Sequence, residues 1–142
     1  MSSEPLTTVA TFLEACASDD PRRRAEANAM VANCLDPKAH WRIYRCAGSP
    51  IDGQWMHYSG TTRGNAGPPP YATACPGDPD QGNLWWKMWE ALPRDRGEVW
   101  EYFDCIDYHA VVNTVYRVDA ETRLAALAAS LLLALDKLKE NE

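Results

Sequence analysis

The stretch that decides the fold is DAETRLAALAASLLLALDKL, from Asp119 to Leu138. Its leucines recur at helical spacing along one face. They are Leu124, Leu127, Leu131, Leu135 and Leu138. The apolar run 124–135 is interrupted by Ser130 and is too short to cross a bilayer. The stretch therefore predicts an amphipathic helix, capped by Asp119, whose leucine face packs on a sheet.

Two pairs of strands are predicted upstream of this helix. Residues 99–105 and 110–118 are rich in β-branched and aromatic side chains, and the IDYH sequence between them can turn. Residues 41–46 and 54–59 alternate large apolar with polar side chains and are joined through AGSPIDG. Adjacent hairpins of this kind predict a mainly antiparallel, four-stranded sheet.

Three more helices are predicted from the spacing of apolar residues. The first covers 5–17, the second begins with Asp20 as N-cap and Pro21 in the first turn, and the third covers the Trp-rich stretch 83–92. The order is ααββαββα. Because the helices must bury their apolar faces on the sheet, we expect an α+β fold, a single-domain helix-sheet-helix sandwich. All 142 residues fit one domain, in which 1–20 form an N-terminal helical extension.

The charge of the chain excludes one class of partner. Fourteen Lys and Arg against twenty Asp and Glu give a net charge of −6, which repels a phosphate backbone. Nucleic acid is therefore not expected as a partner. Six Trp and six Tyr accompany only two Phe, and Trp and Tyr suit half-exposed positions in a groove or an interface. A homo-oligomer is left open.

Cysteine usage and the N-terminal sequence bear on the compartment. Five cysteines form an odd number without a CxxC pair, which disfavours disulfides and structural zinc and favours reduced thiols. The N-terminal stretch lacks the basic and apolar regions of a signal peptide. We expect a cytoplasmic protein with no membrane association, no metal and no cofactor.

The residues around the Trp-rich helix resemble a known family. GPPPYAT, then LWWKMWEAL, two predicted strands and the closing ETRLAALAASLLLAL are similar to the phage ABA-sandwich domain family, over residues 29–138. The insertion ACPGDPDQG departs from the tighter turn of that family. The resemblance implies a bacteriophage accessory protein with a helix-sheet-helix sandwich that acts in the cytoplasm of a bacterial host. It brings no catalytic residues.

The Gly- and Pro-rich segment 60–82 predicts a long loop, and such a loop in a small domain is often functional. Its first part, 60–67, offers backbone N–H groups, hydroxyls and a guanidinium to an anion. Aromatic side chains on either side can stack on a base. The predicted ligand-binding residues are Thr61, Thr62, Arg63, Asn65, Trp55, Tyr58 and Tyr71. An ordinary flexible connection is the alternative interpretation of this loop.

Signatures of the common enzyme classes are absent from the sequence, including GxxxxGK[ST], GxSxG, HExxH and GxGxxG after a strand. Cys105, Asp107 and His109 alternate in the pattern of a nucleophile, an orienting acid and a base. They straddle a predicted turn, however, so their side chains need not share a face. No catalytic residue is predicted.

Three functions are retained, in order of preference. The first is a non-enzymatic phage counter-defence protein that binds and sequesters a small anionic ligand, such as a nucleotide immune signal. The second is an inhibitor that binds a host defence protein through its Trp- and Tyr-rich surface. The third is a hydrolase that uses Cys105, His57 or His109.

Overall fold

The structure is a computed structural model that describes residues 6–36, 39–59, 62–64, 68–73, 80–94 and 98–140. It confirms the α+β class, with helices and antiparallel strands in the order ααβββαβββα. The elements are α1 (Val9–Ala17), α2 (Pro21–Leu35), β1 (Ala39–Ile43), β2 (Trp55–Ser59), β3 (Thr62–Gly64), α3 (Gln81–Ala91), β4 (Trp100–Phe103), β5 (Tyr108–Val112), β6 (Tyr116–Ala120) and α4 (Arg123–Ala134).

The strands form two three-stranded antiparallel sheets, β1-β2-β3 and β4-β5-β6, and the prediction of a single four-stranded sheet was wrong. Two features of the chain explain the difference. The strand β3 lies inside the predicted long loop, and the predicted strand 110–118 is divided into β5 and β6. The division occurs at Asn113 and Thr114, whose φ angles of 54° and 64° turn the chain in the manner of a tight hairpin.

The closing helix α4 packs on β5 and β6, as predicted. Its burial is not confined to a leucine face, because every residue from Leu124 to Leu133 is buried and α4 also contacts the other helices. In β6 the side chains alternate, since Val118 and Ala120 are buried while Arg117 and Asp119 are exposed. The predicted cap was wrong, since Asp119 belongs to β6. Thr122 has the extended backbone of an N-cap, and its hydroxyl accepts a hydrogen bond from the Ala125 backbone N–H at 3.2 Å.

The last leucine of the stripe lies beyond the end of α4. The helix ends at Ala134, and Asp136 has a φ of 60°. The Lys137 N–H donates to the Leu132 carbonyl at 2.8 Å, and the Asp136 N–H donates to the Leu133 carbonyl at 3.2 Å. These two bonds form a Schellman turn, which explains why Leu138 stays buried although the helix has ended.

The two N-terminal helices are capped by side chains. The carboxylate of Asp20 accepts from the Arg22 N–H at 3.0 Å, and Pro21 is the first residue of α2, so this predicted cap is confirmed. Thr8 forms a capping box with Thr11, which is why α1 begins at Val9 rather than at 5.

Among the described residues, no helix is long and apolar enough to cross a membrane.

Candidate ligand-binding cleft

The predicted ligand-binding residues lie in three different settings. Thr61 and Asn65 are outside the described residues. Thr62 and Arg63 belong to β3, where the backbone of Arg63 is in register with Tyr58. Trp55, Tyr58 and Tyr71 have described side chains, and of these Tyr71 is buried.

Strand alternation places Trp55 and Tyr58 on opposite faces of β2. Side chains of a strand alternate between faces, so Trp55 shares a face with His57, whereas Tyr58 shares one with Met56. On the Tyr58 face, the guanidinium of Arg42 lies 4.2 Å from the centre of the tyrosine ring. The predicted set is therefore divided between two faces of the first sheet.

The face of His57 opens into a cleft of about 560 Å³ between the first sheet, α2, α3 and the segment 68–73. The rings of Trp41 and His57, which are register partners, lie 4.7 Å apart on its floor. Tyr71 is the predicted residue that reaches this cleft. The described residues that line the cleft are Ala32, Leu35, Asp36, Trp41, His57, Pro69, Tyr71, Lys87, Glu90 and Ala91.

Two asparagines of α2 fix the walls of the cleft. Asn33 accepts from the Trp41 N–H at 2.6 Å and donates to the Trp41 carbonyl at 3.1 Å. The buried Asn28 accepts from the Ala72 N–H at 3.0 Å and donates to the Thr73 hydroxyl at 2.9 Å. Each amide thus satisfies a donor and an acceptor, so the helix holds strand β1 and the segment after Tyr71 at fixed positions. Neither asparagine was predicted from the sequence to take part in the site.

Charge in the cleft is mixed. Lys87 and Glu90 are exposed residues of α3, and Asp36 follows α2. Burial raises the pKa of the Tyr71 phenol, and the charge of Asp36 raises it further. The phenol therefore remains a hydrogen-bond donor at neutral pH. In the described part of the chain, the cleft offers ring faces for stacking, one ammonium group and two carboxylates.

A second group of polar side chains lies on the other sheet, around His109. The imidazole Nδ1–H donates to Asp119 at 2.5 Å, and the Nε2–H donates to Asp104 at 2.8 Å. The ring of Tyr102 stacks on His109 with centroids 4.4 Å apart. Because a carboxylate can only accept, these two contacts favour the form of His109 in which both ring nitrogens carry protons, the imidazolium ion.

The pKa values around His109 follow from these contacts. The hydrogen bond to Asp119 raises the pKa of His109, against the effect of burial, and Asp104 raises it further. Backbone N–H groups of the turn and the bond from His109 lower the pKa of Asp104 to about 2. Burial raises the pKa of Asp119, but the bonds from His109 and Arg117 outweigh it and the pKa falls.

The contacts of His109 argue against its use as the base for the suggested hydrolase chemistry at Cys105. Cys105 is exposed in the β4–β5 turn with a φ of 74°, and Asp107 lies in the same turn. His109 has both nitrogens engaged by carboxylates, neither of which is Asp107. A general base needs a free nitrogen within reach of the nucleophile, and His109 does not offer one.

Apolar side chains are exposed along strand β4 and the turn after it. Ile106 is 80% exposed, and Trp100 is 48% exposed and stacks on Tyr102. The strand order β4-β5-β6 leaves one edge of β4 without a partner among the described residues. A large exposed apolar patch beside an unpaired strand is typical of an interaction surface. We call this the β4 edge, comprising Trp100, Tyr102, Phe103 and Ile106.

Comparison with known proteins does not assign this chain to a family. No protein family, no curated protein and no solved structure was found to match this chain. The resemblance to the phage ABA-sandwich family therefore stays a prediction from the residues quoted above.

Proposed function

We propose that the protein is a non-enzymatic binder of a small anionic ligand that carries an aromatic ring, such as a nucleotide, and that it binds this ligand in the cleft. The observation that carries the proposal is the Trp41–His57 ring pair on the floor of a cleft of about 560 Å³. A volume of this size lies within the range of small-molecule sites, roughly 300–1,000 Å³.

The ring pair suits stacking. Trp41 is half-buried, and its backbone is held by Asn33, so the indole is positioned before any ligand arrives. Stacking of a base on an aromatic side chain contributes about 1–3 kcal/mol. A platform fixed in advance avoids part of the entropy cost of binding.

The polar groups of the cleft suit the rest of a nucleotide. The Lys87 ammonium supplies an ion pair to a phosphate, whereas Glu90 and Asp36 supply acceptors for a ribose hydroxyl or a base amino group. Among the described residues, two carboxylates and one lysine line the cleft, and this balance disfavours ligands with many negative charges. We therefore favour a nucleoside monophosphate or a cyclic nucleotide over a triphosphate.

The test is calorimetric titration with the four nucleoside 5′-monophosphates and 3′,5′-cyclic AMP, at two salt concentrations. Trp41→Leu should weaken binding at least about fivefold, with little change in salt dependence, because stacking is only weakly screened. Lys87→Ala should weaken it about threefold and reduce the salt dependence. Mass spectrometry of the recovered nucleotide should show it unchanged.

Matched controls are available outside the cleft. Trp86→Leu and Lys139→Ala remove an exposed tryptophan and an exposed lysine that do not line the cleft, so both should bind like the parent. Circular dichroism establishes that each variant is folded. Failure of all five nucleotides to bind, or equal binding by Trp41→Leu and the parent, contradicts the proposal. Chemical conversion of the nucleotide would support the hydrolase instead.

A second candidate function, inhibition of a host protein, is favoured by the β4 edge. An extended segment of a partner could pair with the free edge of β4 while its apolar side chains cover Trp100 and Ile106. A purified partner should then protect β4 amides from hydrogen exchange, and Ile106→Asp should weaken its binding while leaving nucleotide affinity unchanged. Partner binding without protection of β4 would contradict this candidate.

The phage setting of either function is part of the same proposal. It rests on the quoted resemblance in the Trp-rich helix and the closing helix, and a role in counter-defence is tested by infection of a host that carries nucleotide-based immunity. The parent should restore phage growth, and Trp41→Leu should not.

A further inference from the structure

A second cavity lies between α1, the end of β6 and the start of α4. Its volume is about 760 Å³, larger than that of the cleft. It is lined by residues of α1, by Arg24, Ala72 and Thr73, by Asp107 in the β4–β5 turn, and by the end of β6 and the start of α4. We call this cavity the α1 groove. Among the described residues, none lines both the groove and the cleft.

The apolar wall of the α1 groove consists mainly of small side chains. Five alanines from four parts of the chain contribute to it, together with Leu13 and Cys16. Alanine leaves space where a larger residue would fill the gap between α1 and α4. Burial raises the pKa of the Cys16 thiol to about 12, so this side chain is a neutral, apolar part of the wall at physiological pH.

The rim of the groove is acidic. Among the residues that the structure describes, four carboxylates line it, from Glu14, Asp107, Asp119 and Glu121, against one cation, that of Arg24. The guanidinium of Arg24 donates to the Ser18 carbonyl at 2.5 Å. Asp119 is bonded to His109 and Arg117. In the described part of the chain no ion pair involves the other three carboxylates, so the rim keeps an excess of negative charge.

We propose that the α1 groove binds an organic cation with an apolar body, such as an alkylammonium or a hydrophobic amine. Its apolar body would cover the alanines, Leu13 and Cys16, while its charged group would face Glu14 and Glu121 at the rim. Charge complementarity selects this occupant, because an anion of the same shape would face the three carboxylates that have no ion pair in the described part of the chain. The site differs from the cleft in both place and ligand charge.

Three matched probes separate charge from apolar burial: octylammonium, octan-1-ol and octanoate, each followed by amide chemical shifts of the full chain. Octylammonium should bind at least about tenfold more tightly than octanoate, and the alcohol should fall between them. The shifted amides should lie in α1, near Ala120 and at the start of α4. Added salt should lower the affinity for octylammonium and leave the affinity for octan-1-ol unchanged.

Variants then assign the charge selectivity to the rim. Glu14→Gln with Glu121→Gln should lower octylammonium affinity about threefold to tenfold and leave octanol affinity unchanged. The control, Glu98→Gln with Asp136→Asn, removes two exposed carboxylates outside the groove. It should change neither the octylammonium affinity nor the octanol affinity. Ala17→Trp, which fills the groove, should abolish binding of all three probes.

Several results would overturn the proposal. They are equal or tighter binding of octanoate, binding of octanol with the same affinity as octylammonium, no binding of octylammonium, shifts outside the groove, and an equal loss in the control pair. None of these outcomes bears on nucleotide binding in the cleft, since no described residue lines both sites.

Discussion

The ring of His109 on β5 is hydrogen-bonded both to the turn after β4 and to β6. Asp104 follows β4, His109 belongs to β5 and Asp119 to β6, so the imidazolium ties the hairpin turn to the outer strand. Asp104 also accepts from the Ile106 and Asp107 N–H groups, at 3.0 and 2.9 Å. The ring thus holds the β4–β5 turn in place, which is a structural role that the alternation of Cys105, Asp107 and His109 in the sequence did not predict.

The stabilising effect of His109 should depend on pH in a defined direction. Its pKa is raised from 6.5 in the folded state, so its contribution is complete below 6.5 and is lost as the pH rises through the folded value. The pKa of Asp104 is lowered from 3.8 to about 2, so its contribution is complete above 3.8 and is lost as the pH falls towards 2. The cluster should stabilise the fold most between 3.8 and 6.5.

His109→Gln tests this dependence. The difference in unfolding free energy between parent and variant should be greatest at pH 5 to 6 and should shrink at alkaline pH, because the parent then loses its imidazolium charge too. Urea denaturation across this pH range measures the difference. A difference that is constant with pH would show that the charge of His109 contributes nothing, and that only its packing matters.

The chemical state of Cys16 gives a second prediction for a single residue. Its thiol has a pKa raised to about 12 by burial, whereas Cys46 and Cys105 are exposed. Iodoacetamide at pH 8 should therefore alkylate Cys46 and Cys105 well before Cys16 in the folded protein. Peptide mass spectrometry over time measures the order. Alkylation of Cys16 as early as that of Cys46 would contradict the burial of α1 against its neighbours.

Helix α4 is the element on which the second sheet depends. Leu131 is completely buried in α4, which packs against β5 and β6 and against the other helices. Leu131→Ala should lower the unfolding free energy by about 2–5 kcal/mol, the range for emptying a core leucine site. Chemical denaturation measures the loss, and an unchanged midpoint would show that the leucine face is loosely packed.

The Schellman turn after α4 contains a residue in an unfavourable conformation. Asp136 has a φ of 60°, a region that glycine occupies without steric cost. Asp136→Gly should therefore raise the unfolding free energy, by up to about 1 kcal/mol. Asp136→Ala is the matched control and should not stabilise, because alanine is also strained at this φ. Stabilisation by both variants would point to removal of the carboxylate as the cause.

At the scale of the whole molecule, local patterns predicted elements better than they predicted sheets. The Asp20–Pro21 cap, the Trp-rich helix and the leucine helix are visible in the sequence because each depends on neighbouring residues. The turn at Asn113 and Thr114 is not visible, since VVNTVYR reads as continuous strand and lacks a glycine that would mark a turn. The two sheets also depend on pairings between distant residues, which periodicity does not encode.

The candidate site, like the sheets, depends on contacts between residues that are distant in the sequence. Tyr71 was predicted as a ligand contact and lies in the cleft, but its companions Trp41, His57 and Lys87 come together only through the packing of α2 and α3 on the first sheet. Asn33 of α2 holds the backbone of Trp41 through two hydrogen bonds. A mid-helix asparagine gives a weak signal in a sequence, because its partners are not determined until the chain has folded. The role predicted for Arg63 stays a prediction.

The claim that a base stacks on Trp41 can be measured directly by fluorine NMR of protein labelled with 5-fluorotryptophan. The six tryptophans give six resonances, which single Trp→Phe variants assign. Saturation with the tightest-binding nucleoside monophosphate should shift the Trp41 resonance most, while the exposed Trp86 and Trp100 resonances stay in place. A Trp41 resonance that does not move at saturation, or a shift confined to Trp86 and Trp100, would contradict binding in the cleft.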